Sequence, residues 1–182
     1  MVAKKDADKC FGASLMREPE LVGECLRRMK EAVDAPVTLK HRMGVRDSET
    51  SMDDSTDSYD FISRFVETVH ELSGVEHFIV HARCAVLGGL SPAANRTVPP
   101  LRYGEVHRLA DDFPALGFSL NGGVDTLAAA EHHLASGYRL PLVATHVISC
   151  PFHSPETRAQ HALVDVASMI WRTLGGGRCA GS

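Results

Sequence analysis
The chain has 182 residues, 44% of them hydrophobic and 23% charged, with a formal net charge of −4. This is the composition of one soluble globular domain. It leaves no apolar run long enough for a membrane span and gives no global sign of nucleic-acid binding, although net charge says little about local patches.

Cys10, Cys25, Cys84, Cys150 and Cys179 are odd in number and irregularly spaced, which argues against a disulfide framework. The start, Met1 to Asp6, lacks the apolar core of a signal peptide, so an intracellular location, cytoplasmic or organellar, is expected. Residues 1–10 are polar and read as a frayed N-terminus.

Pro19 suits the first turn of a helix. Leu21, Val22, Cys25, Leu26 and Met29 then form one apolar stripe, and Asp34-Ala35-Pro36 ends the helix. Val37 to Arg42 reads as a strand that terminates in Lys40, His41 and Arg42. Arg46 to Asp57 is acidic, Ser/Thr-rich and nearly free of apolar residues, which predicts a mobile loop. It lacks the glycine and ligand spacing of a calcium loop. Ser58 is placed to cap a helix from Tyr59 to about Leu72, with Phe61, Ile62, Phe65, Val66, Val69 and Leu72 as its apolar stripe and Gly74 as its end.

His77 to His81 is a short apolar strand that runs out into His81-Ala82-Arg83. A long loop from Cys84 to Arg102 follows, and loops of that length in a compact domain usually carry function. Gly104 to about Asp112 reads as a short helix. Gly117 to Leu120 is a third strand, leading straight into Asn121-Gly122-Gly123, and Asp125 is placed to cap a helix from Thr126 to Ser136. Pro141 to Ile148 is a candidate fourth strand, and Ser154-Pro155-Glu156 starts a candidate last helix.

Strand ends therefore fall at Lys40, His81 and Asn121, roughly 40 residues apart with one helix in each interval. That period predicts βαβ units and a parallel sheet. The polar groups gather at the C-terminal strand ends, where barrel enzymes carry their chemistry. The expected fold is α/β, a partial (β/α)8 TIM-type barrel incomplete at both ends, since a full barrel needs about 250 residues; a doubly wound sheet is the alternative. Residues 11–137 would form the partial barrel, and 138–182 a divergent strand and helix with a tail. Open barrel edges invite self-association.

On that rim, Asn121-Gly122-Gly123 precedes a helix N-terminus, where glycines let a phosphate approach backbone N–H groups; a plain tight turn would need the same glycines. Lys40 and His81 could neutralise or donate to the same ligand, or His81 and Arg83 could simply cap a strand. Cations without paired carboxylates suit an anionic cofactor and do not suit a glycosidase. Lys40 could also serve as a Schiff-base lysine in an isomerase or aldolase. Metal sites are disfavoured: His132 and His133 are adjacent on a helix and face different directions, and Cys150-Pro151-Phe152-His153 has no second ligand pair. Cys84 reads as a packed thiol.

The sequence resembles the tRNA-dihydrouridine synthases, most closely their A-type branch. The resemblance is carried by Cys10-Phe11-Gly12-Ala13-Ser14-Leu15-Met16, by Pro36 to Gly44 with its Leu39-Lys40-His41-Arg42 core, and by Phe78-Ile79-Val80-His81-Ala82-Arg83. Gly89-Leu90-Ser91-Pro92 with Asn95-Arg96, Pro99-Pro100-Leu101-Arg102-Tyr103, and Leu120-Asn121-Gly122-Gly123-Val124 complete it. It covers about Cys10 to Ala135.

The resemblance implies an FMN-binding (β/α)8 barrel that reduces uridine in tRNA to 5,6-dihydrouridine, with NADPH as the reductant. It implies that Lys40 and His81 contact FMN, that Asn121, Gly122 and Gly123 bind its phosphate side, and that Arg96 meets the tRNA or the target base. The family's catalytic cysteine belongs to a Cys-Pro-Ser motif upstream of the Phe-Gly-Ala stretch. Cys10, directly beside Phe11, does not stand at that place, so no residue here is expected to be catalytic. The expected activity is that of the reductase, with a catalytically inactive piece that binds at most FMN or RNA as the alternative. After about Ser136 the family's Gly-Arg phosphate motif is replaced by Tyr138-Arg139-Leu140-Pro141.

Overall fold
The computed structural model describes residues 12–51, 55–135 and 142–143. The expected frayed start, most of the fourth strand and the last helix lie outside the described residues.

Four α-helices form among the described residues, each close to where the sequence places it. Helix α1 (Pro19–Ala32) begins on its proline. Helix α2 (Tyr59–Ser73) has the caps its sequence calls for. The Ser58 hydroxyl accepts a hydrogen bond from the Phe61 N–H at 3.2 Å, and Gly74 closes the helix in the left-handed region at φ 64°. Both devices satisfy backbone groups that a helix end leaves over. Helix α3 spans Tyr103–Asp112 and α4 spans Leu127–Ala135. The cap of α4 is displaced by one residue from the expectation: Thr126, not Asp125, accepts from the Ala129 N–H at 3.1 Å.

Four strands, β1 (Leu39–Arg42), β3 (His77–His81), β5 (Gly117–Asn121) and β6 (Leu142–Val143), make one sheet in the order β1-β3-β5-β6, every pair parallel. Strand β1 is two residues shorter at its start than Val37 predicts. A second, two-stranded parallel sheet joins β2 (Val45–Arg46) to β4 (Ala85–Val86) inside the loops that follow β1 and β3.

Strand alternation sorts the side chains onto two faces. Phe78, Val80, Phe118 and Leu120 face the helices and are almost fully buried with Ile62, Phe65 and Val66 of α2 and Val106 and Leu109 of α3. Lys40, Arg42, Ile79, His81, Ser119 and Asn121 take the other face. A doubly wound sheet would need helices over that second face. With its cationic and polar residues there instead, the sheet is part of a (β/α) barrel, with the helix layer outside and the polar face inside.

The stripe on α1 is rotated from the expected one. Val22, Gly23 and Leu26 are buried, whereas Leu21 and Met29 are about half exposed and Cys25 is exposed. Gly23 explains it. A Cβ there would lie 2.8 Å from Leu72 Cβ, so α1 and α2 approach most closely at a residue that carries no hydrophobic signal. Leu72 rests on that contact and stays partly exposed, while Ser73 is buried.

The acidic segment is fastened at its C-terminal end. The Val45 N–H donates to the Thr56 carbonyl at 2.8 Å, and Asp57 pairs with Arg102 at 2.6 Å. Gly44 fits beneath this closure, since a Cβ on it would stand 2.7 Å from the Thr56 carbonyl oxygen.

Candidate functional site at the C-terminal ends of the strands
Parallel register brings Arg42, His81 and Asn121 side by side at the last position of three adjacent strands. Lys40 lies two residues back on β1 and points the same way. Its Nζ donates to Asn121 Oδ1 at 3.1 Å, spanning the width of β3. Strands separated by 81 residues of sequence thus place an ammonium and a carboxamide on one ligand-sized patch.

Asn121 leads into Gly122 and Gly123, at φ 96° and 69°, values an L side chain rarely adopts. The Gly122 position is doubly restricted, because a Cβ there would meet the His81 ring at 3.0 Å. The imidazole therefore lies flat against the glycine turn. His81 is nearly buried, and its Nδ1 has no hydrogen-bond partner among the described residues. His81 lines the cleft beside β1, where such a nitrogen can meet a bound group or a water. Burial, reinforced by the charges of Arg42, Lys40, Arg83 and Arg96, holds its pKa down at about 4. The ring is neutral at physiological pH and can donate from one nitrogen and accept at the other.

The same crowding lowers the pKa of Lys40, first through burial and then through Arg42 and Arg96. Among the described residues no carboxylate pairs with Lys40, Arg42 or Arg96. An anionic group would relieve their mutual repulsion, so the patch fits a phosphorylated cofactor.

Arg96 sits in the loop after β4, exposed at the edge of this patch. Sequence reasoning missed what holds it there. Asn95 pairs with the backbone of Val86 in both directions, accepting from the N–H and donating to the carbonyl, each at 2.8 Å. Its own carbonyl accepts from Arg42 Nη1 at 2.8 Å. Arg83 donates to the Pro99 carbonyl further along the loop. The Asn-Arg pair was the available signal, but the role of its first member depends on a two-residue strand too short to read. Lys40, His81, Asn121, Gly122, Gly123 and Arg96 are all brought to this rim. A cavity of about 440 Å³ opens beside β1, lined by Lys40, Arg42, His81 and the apolar Ala13, Leu15 and Met16.

The sequence model of a family described as "Dihydrouridine synthase (Dus)" matches residues 3–165. The chain belongs to the dihydrouridine synthase family. Among its relatives, the tRNA-dihydrouridine(20/20a) synthase of Shewanella oneidensis is 50% identical over 124 residues, which is 68% of this chain and 34% of that protein. The enzyme of the same description from Yersinia pestis is 51% identical over 124 residues, again 68% and 34%. That of Synechocystis sp. is 46% identical over 125 residues, 69% and 35%. The chain thus spans about a third of the length of the curated relatives it matches. Membership is shared with proteins described as tRNA-dihydrouridine synthases, not as isomerases or aldolases. It accords with the partial barrel, and no described helix is long and apolar enough to cross a membrane.

Proposed function
We propose that this rim binds FMN and that the chain supplies this part of a site for reducing uridine in tRNA to 5,6-dihydrouridine, with NADPH as the reductant. The reading is carried by one observation: Lys40, neutral His81 and Asn121 converge at adjacent strand ends, above a glycine turn that no larger residue could form. Lys40 and His81 would donate to the ring system, and the Asn121-Gly122-Gly123 turn would take the phosphate side. Bound there, FMN would supply hydride transfer from the nicotinamide to the uracil ring.

The residues of this chain bind and orient. Lys40 is held by Asn121, so little side-chain entropy remains to be lost when it meets a ligand. His81 offers a neutral donor and adds no charge to an already cationic patch. Arg96, exposed and fixed through Asn95, is placed to meet a phosphate or the target base, which must leave the tRNA stack to reach a flavin. The proton that completes the reduction is assigned to no residue here. Strand β1 pairs with β3 alone among the described residues, and that edge supports self-association.

The test is a visible absorbance spectrum of the purified chain after addition of FMN and removal of the excess. Flavin absorbance that stays with the wild type and is lost in Lys40→Ala supports the reading. A folded chain that retains no flavin overturns it.

A further inference from the structure
Tyr103, at the start of α3, is not among the residues assigned to the rim. Its hydroxyl donates to the Gly122 carbonyl at 2.9 Å. Its ring is half-buried, with the His133 ring edge-on at 4.4 Å between centroids. A Cβ at Gly123 would lie 2.5 Å from the Tyr103 hydroxyl oxygen and 2.5 Å from Leu101, so the turn and the tyrosine are fitted to one another.

The peptide linking Gly122 to Gly123 is trans and hence close to planar, and no cis peptide occurs among the described residues. Its carbonyl and its N–H therefore point in opposite directions. Fixing the Gly122 carbonyl on Tyr103 turns the Gly123 N–H to the far side of the turn, where no acceptor among the described residues receives it. Two glycines in succession are the most conformationally free dipeptide a chain can hold, so without an outside contact this N–H would sample many directions.

We propose that Tyr103 is the positioning residue of the glycine turn: its hydroxyl holds the Gly122–Gly123 peptide with the N–H presented to an anionic group. The inference rests on the reading that this turn takes the phosphate of a flavin nucleotide. Tyr103 itself touches no ligand. It acts by removing conformations that would otherwise be lost on binding, the usual origin of preorganised affinity.

The experiment compares FMN with riboflavin, the same ring system without the phosphate, by flavin fluorescence titration of the full chain. Tyr103→Phe keeps the ring against His133 and removes only the hydroxyl. The wild type should prefer FMN. Tyr103→Phe should weaken FMN about three- to tenfold, the range of one neutral hydrogen bond, and leave riboflavin within about twofold. Equal weakening of both flavins, or no change in either, overturns the positioning role. A wild type that binds both flavins equally, or neither, overturns the phosphate reading instead. Circular dichroism of the variant, with Tyr103→Leu as a measure of lost ring packing, separates a misfolded protein from a misplaced peptide. A Tyr103→Phe variant that matches the Tyr103→Leu loss on both flavins refutes the proposal.

Discussion

His41 makes the stability of this protein depend on mild acid. The ring is buried between Phe65 and Phe78, with centroids at 5.4 and 5.9 Å, on the helix-facing side of β1. Nδ1 meets the Arg42 carbonyl at 2.8 Å, while Nε2 has no partner among the described residues. Burial holds its pKa at about 4, against 6.5 for a free imidazole. A depressed pKa means that the unfolded chain binds the proton more tightly. The corresponding stability is present in full above pH 6.5 and is lost as pH falls through about 4. The whole shift is worth about 3 kcal/mol. Between about pH 8 and about pH 5 the loss is about 2 kcal/mol, because at the lower value the unfolded imidazole is almost wholly protonated and the folded one about one-tenth so. Urea unfolding followed by circular dichroism at both values measures it. His41→Leu, which keeps the site apolar, should show a pH-dependent loss smaller than that of the wild type by about 2 kcal/mol. Equal losses in the two proteins would refute the assignment, since His77, His81, His107 and His133 titrate alike in both.

Other perturbations have separate readouts. Ser58→Ala should cost about 1 kcal/mol of urea stability through loss of the α2 cap, with flavin retention unchanged. Burial and the neighbouring Asp57 push the Cys84 thiol up to about 12, so at about pH 8 only about one thiol in ten thousand is ionised. Peptide mass spectrometry after iodoacetamide should find exposed Cys25 modified in the native protein and Cys84 only in denaturant. Asn95→Ala leaves both polar groups of Val86 without partners, at about 1–3 kcal/mol, and should make the Cys84–Arg102 loop the first site of tryptic cleavage. An unchanged cleavage order would deny Asn95 its anchoring role.

Features written in adjacent residues were legible in the sequence. Ser58 and Gly74 bound α2 because caps depend on a few neighbouring positions. The strand ends at Lys40, His81 and Asn121 showed as apolar runs breaking into polar groups, and their spacing disclosed the parallel sheet. Features that depend on distant partners were hidden. Gly23 decides which side of α1 is buried, yet only the approach of Leu72 gives it meaning. The acidic segment read as unanchored because Asp57 finds Arg102 forty-five residues away. The glycine turn was visible, whereas the tyrosine that steadies it looked like an ordinary helix start.

The small ladder between β2 and β4 has a consequence for how the rim can change. Beyond the paired strands, the Ala85 N–H reaches the Gly44 carbonyl, Leu87 reaches Arg46 and Gly88 reaches Asp47, at 2.8–2.9 Å. Barrel enzymes diversify by altering one strand-end loop while the scaffold stays fixed. Here the loops after β1 and β3 are zipped together over four residues each, so exchanging either alone would strip the other of its backbone partners. The smallest exchangeable part of this rim is the pair, and a graft, a deletion or a drifting insertion must respect both halves or fall outside the zipped stretch.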